Sequence, residues 1–174
     1  MQRRLIKNLI DNGCKNLIMT GTCLEYGKRN GQLKENMKSN PSLPYAKAKL
    51  QLLMFLKSYK KKKKFNLIWL RLFYIYGINS KKNTLYNQVK NFEKGKIKKL
   101  DISGYLIRDY LSIKDVCEKI KKIIFLKKDI GVLNICSGKP ILIKKIVAKF
   151  ILNKKKMRLI KFKKKNSYLY EGNN

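Results

Sequence analysis

Tyr45 and Lys49 form the pair of side chains in this chain that most directly suggests acid–base chemistry. They stand four residues apart at the start of an expected helix, in the stretch Tyr-Ala-Lys-Ala-Lys. A spacing of i and i+4 places two side chains on one helical face, one turn apart. An ammonium group close to a phenol favours the phenolate anion, which a free tyrosine, with a pKa of about 10, rarely forms at neutral pH. The pair therefore fits acid–base chemistry, and a surface tyrosine on a basic helix is the alternative.

The composition is that of a folded protein that lacks histidine. The chain has 174 residues, of which 44% are hydrophobic and 30% charged, which suffices for one domain with a core. The lack of histidine excludes Ser–His and Cys–His nucleophile pairs and histidine-bound zinc. Four scattered cysteines have no metal-binding spacing, so we expect reduced thiols, no metal and a cytoplasmic location. No apolar run approaches the roughly 18 residues that span a bilayer, and we expect no membrane partner.

The net charge of the chain is strongly positive, at +33 from 43 basic and 10 acidic residues. Such a field attracts nucleic acid and anionic surfaces non-specifically. The lysines are nevertheless spread along the whole chain, and arginine, which usually reads bases and grips phosphates, is scarce. A codon bias toward A and T would enrich lysine, asparagine and isoleucine in the same way. A non-catalytic basic protein that binds nucleic acid or anionic surfaces remains the alternative function.

Helical and strand-like segments alternate along the chain. Several of the strand-like segments are apolar on both faces, which is typical of a parallel sheet covered by helices on both sides. We therefore expect an α/β fold. The expected helices are 1–12, 45–59, 84–94, 114–126 and 141–152, and the expected strands are 16–20, 65–76, 105–112, 132–136 and 157–162.

Small and hydroxyl-bearing residues follow three of these strands. They are the segments 20–27, 74–77 and 137–138, which contain glycine, threonine, serine and tyrosine. Ligands of an open parallel sheet bind beyond the carboxyl ends of its strands. We expect these three segments to line one pocket.

Five segments also resemble, in matching order, the extended short-chain dehydrogenase/reductase family, in its nucleotide-sugar epimerase/dehydratase branch. The stretch 21–49 looks closest to nucleotide-sugar 4-ketoreductases. The segments are 20–27 (a hydroxyl turn, then Tyr-Gly), 44–49 (Y-x-x-x-K), 70–77 (R-x-F-x-x-Y-G), 108–116 (R-D-Y-x-x-x-x-D-V) and 134–140 (N-x-x-S-G-K-P).

The resemblance implies a partial doubly wound, Rossmann-like parallel sheet with part of a small C-terminal substrate lobe. We expect a single incomplete domain over 1–174. Residues 1–80 would form the second half of the dinucleotide-binding sheet with the catalytic segment. Residues 81–174 would mix elements of the substrate lobe and the sheet.

The resemblance also implies roles for five residues of an NAD(P)-dependent nucleotide-sugar epimerase or 4-ketoreductase. Tyr45 would move a proton at a sugar hydroxyl or ketone. Lys49 would hold the nicotinamide ribose of NAD or NADP and tune Tyr45. Thr22 would hydrogen-bond the same sugar oxygen, Tyr74 would lie near the nicotinamide, and Arg108 would grip the pyrophosphate of the nucleotide sugar. A structural subunit that uses this fold without chemistry stays open as a third interpretation.

The chain departs from the family pattern after Thr22. Dehydratases of the family carry Asp-Glu directly after the catalytic threonine, whereas this chain has Cys23 and Leu24. Neither supplies a carboxylate, so the resemblance favours ketoreduction or epimerisation over dehydration. Asp109 is expected to be structural.

A second departure concerns the glycine-rich turn that seats the cofactor pyrophosphate in this family. Only Gly13 precedes Gly21, so the chain has no G-x-x-G-x-x-G. We expect the first half of the sheet to be absent and the substrate lobe to end short near 170–174. A strand edge and two apolar faces would then be uncovered. We expect a truncated form with little activity alone. It is either the product of a truncated or frameshifted gene or a chain whose protein partner is a separately encoded N-terminal half or a second copy in a homodimer.

Overall fold

A computed structural model of the chain describes residues 2–78, 80, 83–163 and, for the backbone alone, 171–172. The expected short end of the substrate lobe lies largely outside the described residues. The helices are α1 (Gln2–Asp11), α2 (Pro44–Lys60), α3 (Leu85–Glu93), α4 (Ile113–Ile124), α5 (Ile143–Phe150) and α6 (Lys154–Met157). The strands are β1 (Asn16–Thr22), β2 (Gln32–Leu33), β3 (Asn66–Leu72), β4 (Tyr74–Tyr76), β5 (Asp101–Ile102), β6 (Ile107–Arg108), β7 (Tyr110–Ser112), β8 (Gly131–Ile135), β9 (Ile141–Leu142), β10 (Lys161–Phe162) and β11 (Glu171–Gly172).

Three parallel strands form the central sheet, in the order β1-β3-β8. The register aligns Asn16 with Asn66 and Thr22 with Leu72. The middle strand, β3, is buried on both faces because successive side chains of a strand point to opposite sides. Its residues Leu67 and Trp69 contribute to one hydrophobic cluster, and Ile68 and Leu70 contribute to another. The α/β class expected from the sequence is confirmed.

Helices cover both faces of this sheet. α1 and α2 pack on one face through buried leucines and isoleucines, and α4 packs on the other through Val116 and Ile123. Each fully buried aliphatic side chain contributes about 1.5–3 kcal/mol to folding. The expectation of two uncovered apolar faces is therefore wrong for these strands. The exposed apolar side chains near β1 lie instead on α1, at Leu5 and Leu9.

The expected strand over 65–76 is interrupted at Phe73. Its backbone amide donates to the Ile135 carbonyl at the end of β8, and the next amide, of Tyr74, donates to the Asp109 carbonyl. The chain thus changes partner from β8 to β7 at this residue. The Phe73 side chain is buried with Tyr26 and other apolar residues, and this packing accounts for the change of direction.

Two further strand predictions need correction, because here too the pairing partner changes or is lost within the expected strand. The segment expected as one strand over 105–112 forms β6 and β7, which pair with β9 and β4 in separate sheets. Of the expected strand over 157–162 only Lys161–Phe162 is extended, since Met157 ends α6. Short apolar runs do not reveal their partners, and distant pairing decides where such strands begin and end.

A second core joins α3 and α5 beyond the central sheet. Val147 and Phe150 of α5 pack with Val89 and Phe92 of α3. The four buried residues of α5 have the spacing i, i+3, i+4, i+7, which makes one apolar face. The Thr84 hydroxyl caps the first turn of α3. This core adjoins the strands that carry Tyr74 and Arg108.

Candidate active site

Thr22 ends β1 and starts a 3-10 turn formed by Cys23–Tyr26. Its Oγ1 accepts a hydrogen bond from the Leu24 amide at 3.3 Å, and Oε1 of Glu25 accepts one from the Thr22 amide at 2.9 Å. The two bonds form a capping box, which satisfies amides that the turn leaves without backbone partners. The side chain of Thr22 is therefore held in place at the carboxyl end of the central sheet.

Tyr45 lies in the first turn of α2, which begins with Pro44 at a position where proline fits a helix. Its side chain is 57% exposed. Nζ of Lys49, one turn later, lies 5.9 Å from the centre of the Tyr45 ring. The helical spacing thus places the ammonium beside the phenol, as the sequence predicts.

Lys49 connects this helix with the strand that carries Thr22. Its Nζ donates a hydrogen bond to the Thr20 carbonyl oxygen at 2.8 Å. α2 also contacts both β1 and the 3-10 turn. The structure accordingly brings Tyr45 and Lys49 to the strand end where Thr22 lies.

Tyr74 and Arg108 lie together beside the same turn. The guanidinium carbon of Arg108 is 5.7 Å from the centre of the Tyr74 ring, and Nη1 donates to the Ile107 carbonyl at 2.7 Å. Burial raises the pKa of the Cys23 thiol to about 12, and the positive charge of Arg108 opposes that rise. Arg108 is thus close to the residue that follows Thr22. It is 7% exposed, and its contact with a pyrophosphate stays a prediction.

The residues after Thr22 offer no acid or base to the pocket. Cys23 is 3% exposed, and its raised pKa keeps the thiol neutral at ordinary pH. Leu24 is apolar, and Glu25 is fully buried, with its carboxylate turned toward the interior.

Glu25 and Arg71 form a buried ion pair that the sequence interpretation did not include. Nε of Arg71 donates to Oε2 of Glu25 at 2.9 Å, and Nε1 of Trp69 donates to the same carboxylate at 3.1 Å. Nη2 of Arg71 reaches Oγ of Ser39 at 2.6 Å. The sequence contained one signal for this ion pair. Glu25 and Arg71 carry opposite charges in otherwise apolar segments, and charges that become buried are paired.

Tyr26 extends this network to β8. The Arg71 guanidinium lies 4.2 Å from the centre of the Tyr26 ring, and Tyr26 Oη donates to Oδ1 of Asn134 at 2.7 Å. Burial raises the pKa of Tyr26, so its phenol is a donor rather than a base. The network fixes the turn that carries Thr22 to all three central strands.

Asp109 has the structural environment expected from the sequence. It is fully buried, and its carboxylate accepts hydrogen bonds from the amides of Ser137 and Gly138 at 2.6 and 2.7 Å. It thereby connects the loop after β8 to the strand pair that holds Tyr74. Asp109 thus links two of the three segments expected to line one pocket, 74–77 and 137–138, and the shared pocket stays a prediction.

The described residues contain no group of three or more cysteine, aspartate and glutamate side chains placed to hold a metal ion. In the same part of the chain, no helix combines the length and apolarity that crossing a membrane requires.

Comparisons with known proteins match most of the chain. The family model described as NAD dependent epimerase/dehydratase family matches residues 1–136. A dTDP-6-deoxy-L-talose 4-dehydrogenase (NAD(+)) of Aggregatibacter actinomycetemcomitans is 30% identical over 150 residues, which are 85% of this chain and 55% of that protein.

Solved structures share the fold. A dTDP-glucose 4,6-dehydratase of Bacillus anthracis in complex with NAD superposes with a TM-score of 0.81 at 23% identity, over 97% of this chain and 56% of that one. The NDP-hexosamine 5,6-dehydratase TunA superposes with a TM-score of 0.83 at 19% identity, over 98% and 57%.

The present chain spans a little over half the length of these relatives. The family match covers most of the chain and includes the segments with Thr22, Tyr45 and Lys49, so the resemblance found in the sequence is confirmed. The chain belongs to the NAD-dependent epimerase/dehydratase family.

Proposed function

We propose that this chain carries the catalytic segment of an NAD-dependent enzyme that acts at C4 of a nucleotide-linked hexose, as a 4-ketoreductase or a 4-epimerase. The observation that carries the proposal is the position of Lys49, hydrogen-bonded to Thr20 at the end of β1 and adjacent to the Tyr45 ring. This position supports the proposal because ligands of such folds bind beyond the carboxyl ends of the strands, where β1 ends.

The side chains at this edge fit one end of NAD. An ammonium has three N–H donors, and Thr20 takes one of them, so Lys49 can donate the others to ribose hydroxyls. Tyr74 would border the nicotinamide. When bound, NAD would supply the hydride acceptor and donor of the reaction. A glycine-rich turn for its pyrophosphate is not among these 174 residues, so other polypeptide has to provide it.

Tyr45 would transfer the proton at the substrate oxygen. In oxidation, its phenolate would take the proton of the sugar C4 hydroxyl, and in reduction its phenol would return a proton to the C4 oxygen. Nζ of Lys49 lies 5.9 Å from the centre of the Tyr45 ring, so a positive charge is close to the group that would exchange the proton. The partial exposure of Tyr45 leaves its oxygen accessible to a sugar.

Thr22 and Arg108 would position the substrate. A hydroxyl can accept and donate at the same time, so Thr22 Oγ1 can accept from Leu24 and donate to the C4 oxygen. Arg108 supplies a fork of donors suited to a diphosphate. A diphosphate would have to approach it along the Tyr74 ring, which its guanidinium faces.

The residues after Thr22 support redox chemistry without loss of water. Dehydration needs an acid and a base beside the sugar, and Cys23 is a neutral buried thiol while Leu24 is apolar. A 30% identical relative is named a 4-dehydrogenase of a dTDP-linked sugar, and one structural neighbour is a UDP-glucuronic acid 4-epimerase of Bacillus cereus. Both names refer to position 4 of a sugar linked to a pyrimidine nucleotide.

The test is reconstitution. The 174-residue chain would be purified alone and together with a polypeptide that carries a strand, a glycine-rich turn and a helix, supplied in the same chain or separately. Absorbance at 340 nm would follow NADH with dTDP- and UDP-linked 4-ketohexoses. We expect turnover only in the assembled protein, and Tyr45→Phe should lower kcat about 10²- to 10⁴-fold, the usual contribution of a general acid.

Tyr105→Phe is the matched control, since Tyr105 is also exposed but lies outside the five family segments. It should leave kcat unchanged. Turnover by the 174-residue chain alone would contradict the requirement for further polypeptide. An assembled enzyme in which Tyr45→Phe and Tyr105→Phe behave alike would contradict the role given to Tyr45.

A further inference from the structure

A lysine-rich surface lies at the end of the molecule opposite Tyr45. α2 begins beside the carboxyl end of β1 and ends at Lys60, which pairs with Asp129 just before β8. α4 likewise ends near the start of β3, since the Asn66 side chain donates to the Lys127 carbonyl at 2.9 Å. We call this surface the lysine pole, and its members are Lys15, Lys60, Lys61, Lys62, Lys63, Lys64, Lys127 and Lys128.

The charge of the lysine pole is largely unbalanced. Eight lysines stand there against two aspartates, Asp129 paired with Lys60 and Asp11 paired with Lys63 at 3.4 Å. In the described part of the chain, Lys61, Lys62 and Lys64 make no side-chain ion pair, and all three are exposed. The pole contains no arginine.

An exposed apolar turn borders the lysine pole. Ile124, Phe125 and Leu126 follow one another at the end of α4 and are 53%, 72% and 44% exposed. The next residue, Lys127, has a φ of +43°, a left-handed conformation that non-glycine residues rarely adopt. The backbone therefore reverses tightly here and presents three apolar side chains directly before two lysines.

We propose that the lysine pole and the apolar turn together bind the surface of an anionic lipid bilayer. Lysines attract anionic headgroups over a Debye length, and neighbouring aromatic and aliphatic side chains insert at the boundary of headgroups and acyl chains. A nucleic acid would use the lysines equally well, but three adjacent apolar side chains gain nothing from a phosphate backbone. The combination of both features selects the bilayer.

This proposal revises the expectation of no membrane partner, which rested on the lack of a spanning segment. Attachment through this pole would direct the Tyr45 edge away from the bilayer, because the two lie at opposite ends of the parallel strands. Substrate access would stay open. The proposal is independent of the proposed reaction.

Cosedimentation of the 174-residue chain with vesicles tests the charge component. The vesicles would contain phosphatidylcholine with or without about one third phosphatidylserine. We expect binding only to the anionic vesicles. Each lysine near such a surface strengthens binding about fivefold, so K61Q/K62Q/K64Q should weaken it about a hundredfold. The control K154Q/K155Q/K156Q removes the same charge at α6 and should weaken binding only a few-fold.

Fluorescence tests the apolar component. Phe125→Trp should show a blue-shifted emission with anionic vesicles, against a constant background from the buried Trp69. Leu152→Trp is the control, because Leu152 is also strongly exposed, at 81%, and lies just before a lysine run. Equal losses in the two triple variants, or an unshifted Phe125→Trp spectrum, would overturn the proposal. Binding of duplex DNA without either vesicle effect would assign the pole to nucleic acid instead.

Discussion

Replacing Glu25 by leucine should strongly destabilise the protein, because it leaves Arg71 as an unpaired buried cation. Arg71 is 2% exposed, and the lost carboxylate also accepts hydrogen bonds from the Thr22 amide and the Trp69 indole. Removal of one partner of a buried ion pair costs about 3–5 kcal/mol. Two unsatisfied donors cost about 1–3 kcal/mol each, and these terms overlap. We expect a loss of about 4 kcal/mol in the free energy of unfolding.

A double-mutant cycle separates the ion pair from the rest of the change. Arg71→Met alone should lower the free energy of unfolding by a similar amount, since it leaves the Glu25 carboxylate buried without its cationic partner. In the Glu25→Leu/Arg71→Met double variant, the loss in the free energy of unfolding should be smaller than the sum of the two single losses by about 2 kcal/mol or more, because no unpaired charge remains.

Urea unfolding measures these changes. The emission of Trp69, the single tryptophan, reports on the network itself, and far-UV circular dichroism reports on the whole chain. A loss of about 4 kcal/mol corresponds to a shift of about 2 M in the urea midpoint, given a slope of about 2 kcal/mol/M. The control is Asp101→Ala, which removes an ion pair with Lys163 at the surface and should leave the midpoint nearly unchanged. A Glu25→Leu midpoint equal to that of the control, or additive single changes, would show that the buried ion pair does not stabilise the protein as described.

Two further predictions concern the same region. Burial raises the pKa of Cys23 from 9.0 to about 12, so the stabilisation from its neutral thiol is complete below pH 9 and is lost as the pH rises toward 12. A thiol reagent at pH 8 should label the exposed Cys117 and spare Cys23. Equal labelling rates of the two thiols would contradict the burial of Cys23. Gly27→Ala should lower the urea midpoint more than Gly31→Ala does. Both glycines have positive φ, which costs about 1–2 kcal/mol for alanine. Of the two, only at Gly27 would the new Cβ meet another atom, the Asn40 carbonyl oxygen, which it would overlap. Equal midpoints would show that the contact is relieved at no cost.

The parts of the candidate site that depend on short-range geometry could be predicted from the sequence. The spacing of Tyr45 and Lys49 implies a shared helical face wherever that helix packs, and the structure shows their side chains adjacent. The alternation of apolar segments likewise predicted the parallel sheet. By contrast, the interruption at Phe73 could not be predicted, because the residues on both sides of it favour extended backbone equally well.

The order of motifs and periodicities of a few residues were enough to predict the family, the class of fold and a set of candidate site residues. The contacts between groups distant in sequence became evident only from the folded chain. Lys49 reaches Thr20 across 29 positions of the chain, and Arg71 reaches Glu25 across 46. Such contacts depend on the register of strands and on which side chains share a buried space. A local pattern does not encode that information, because many long-range arrangements are compatible with the same apolar run.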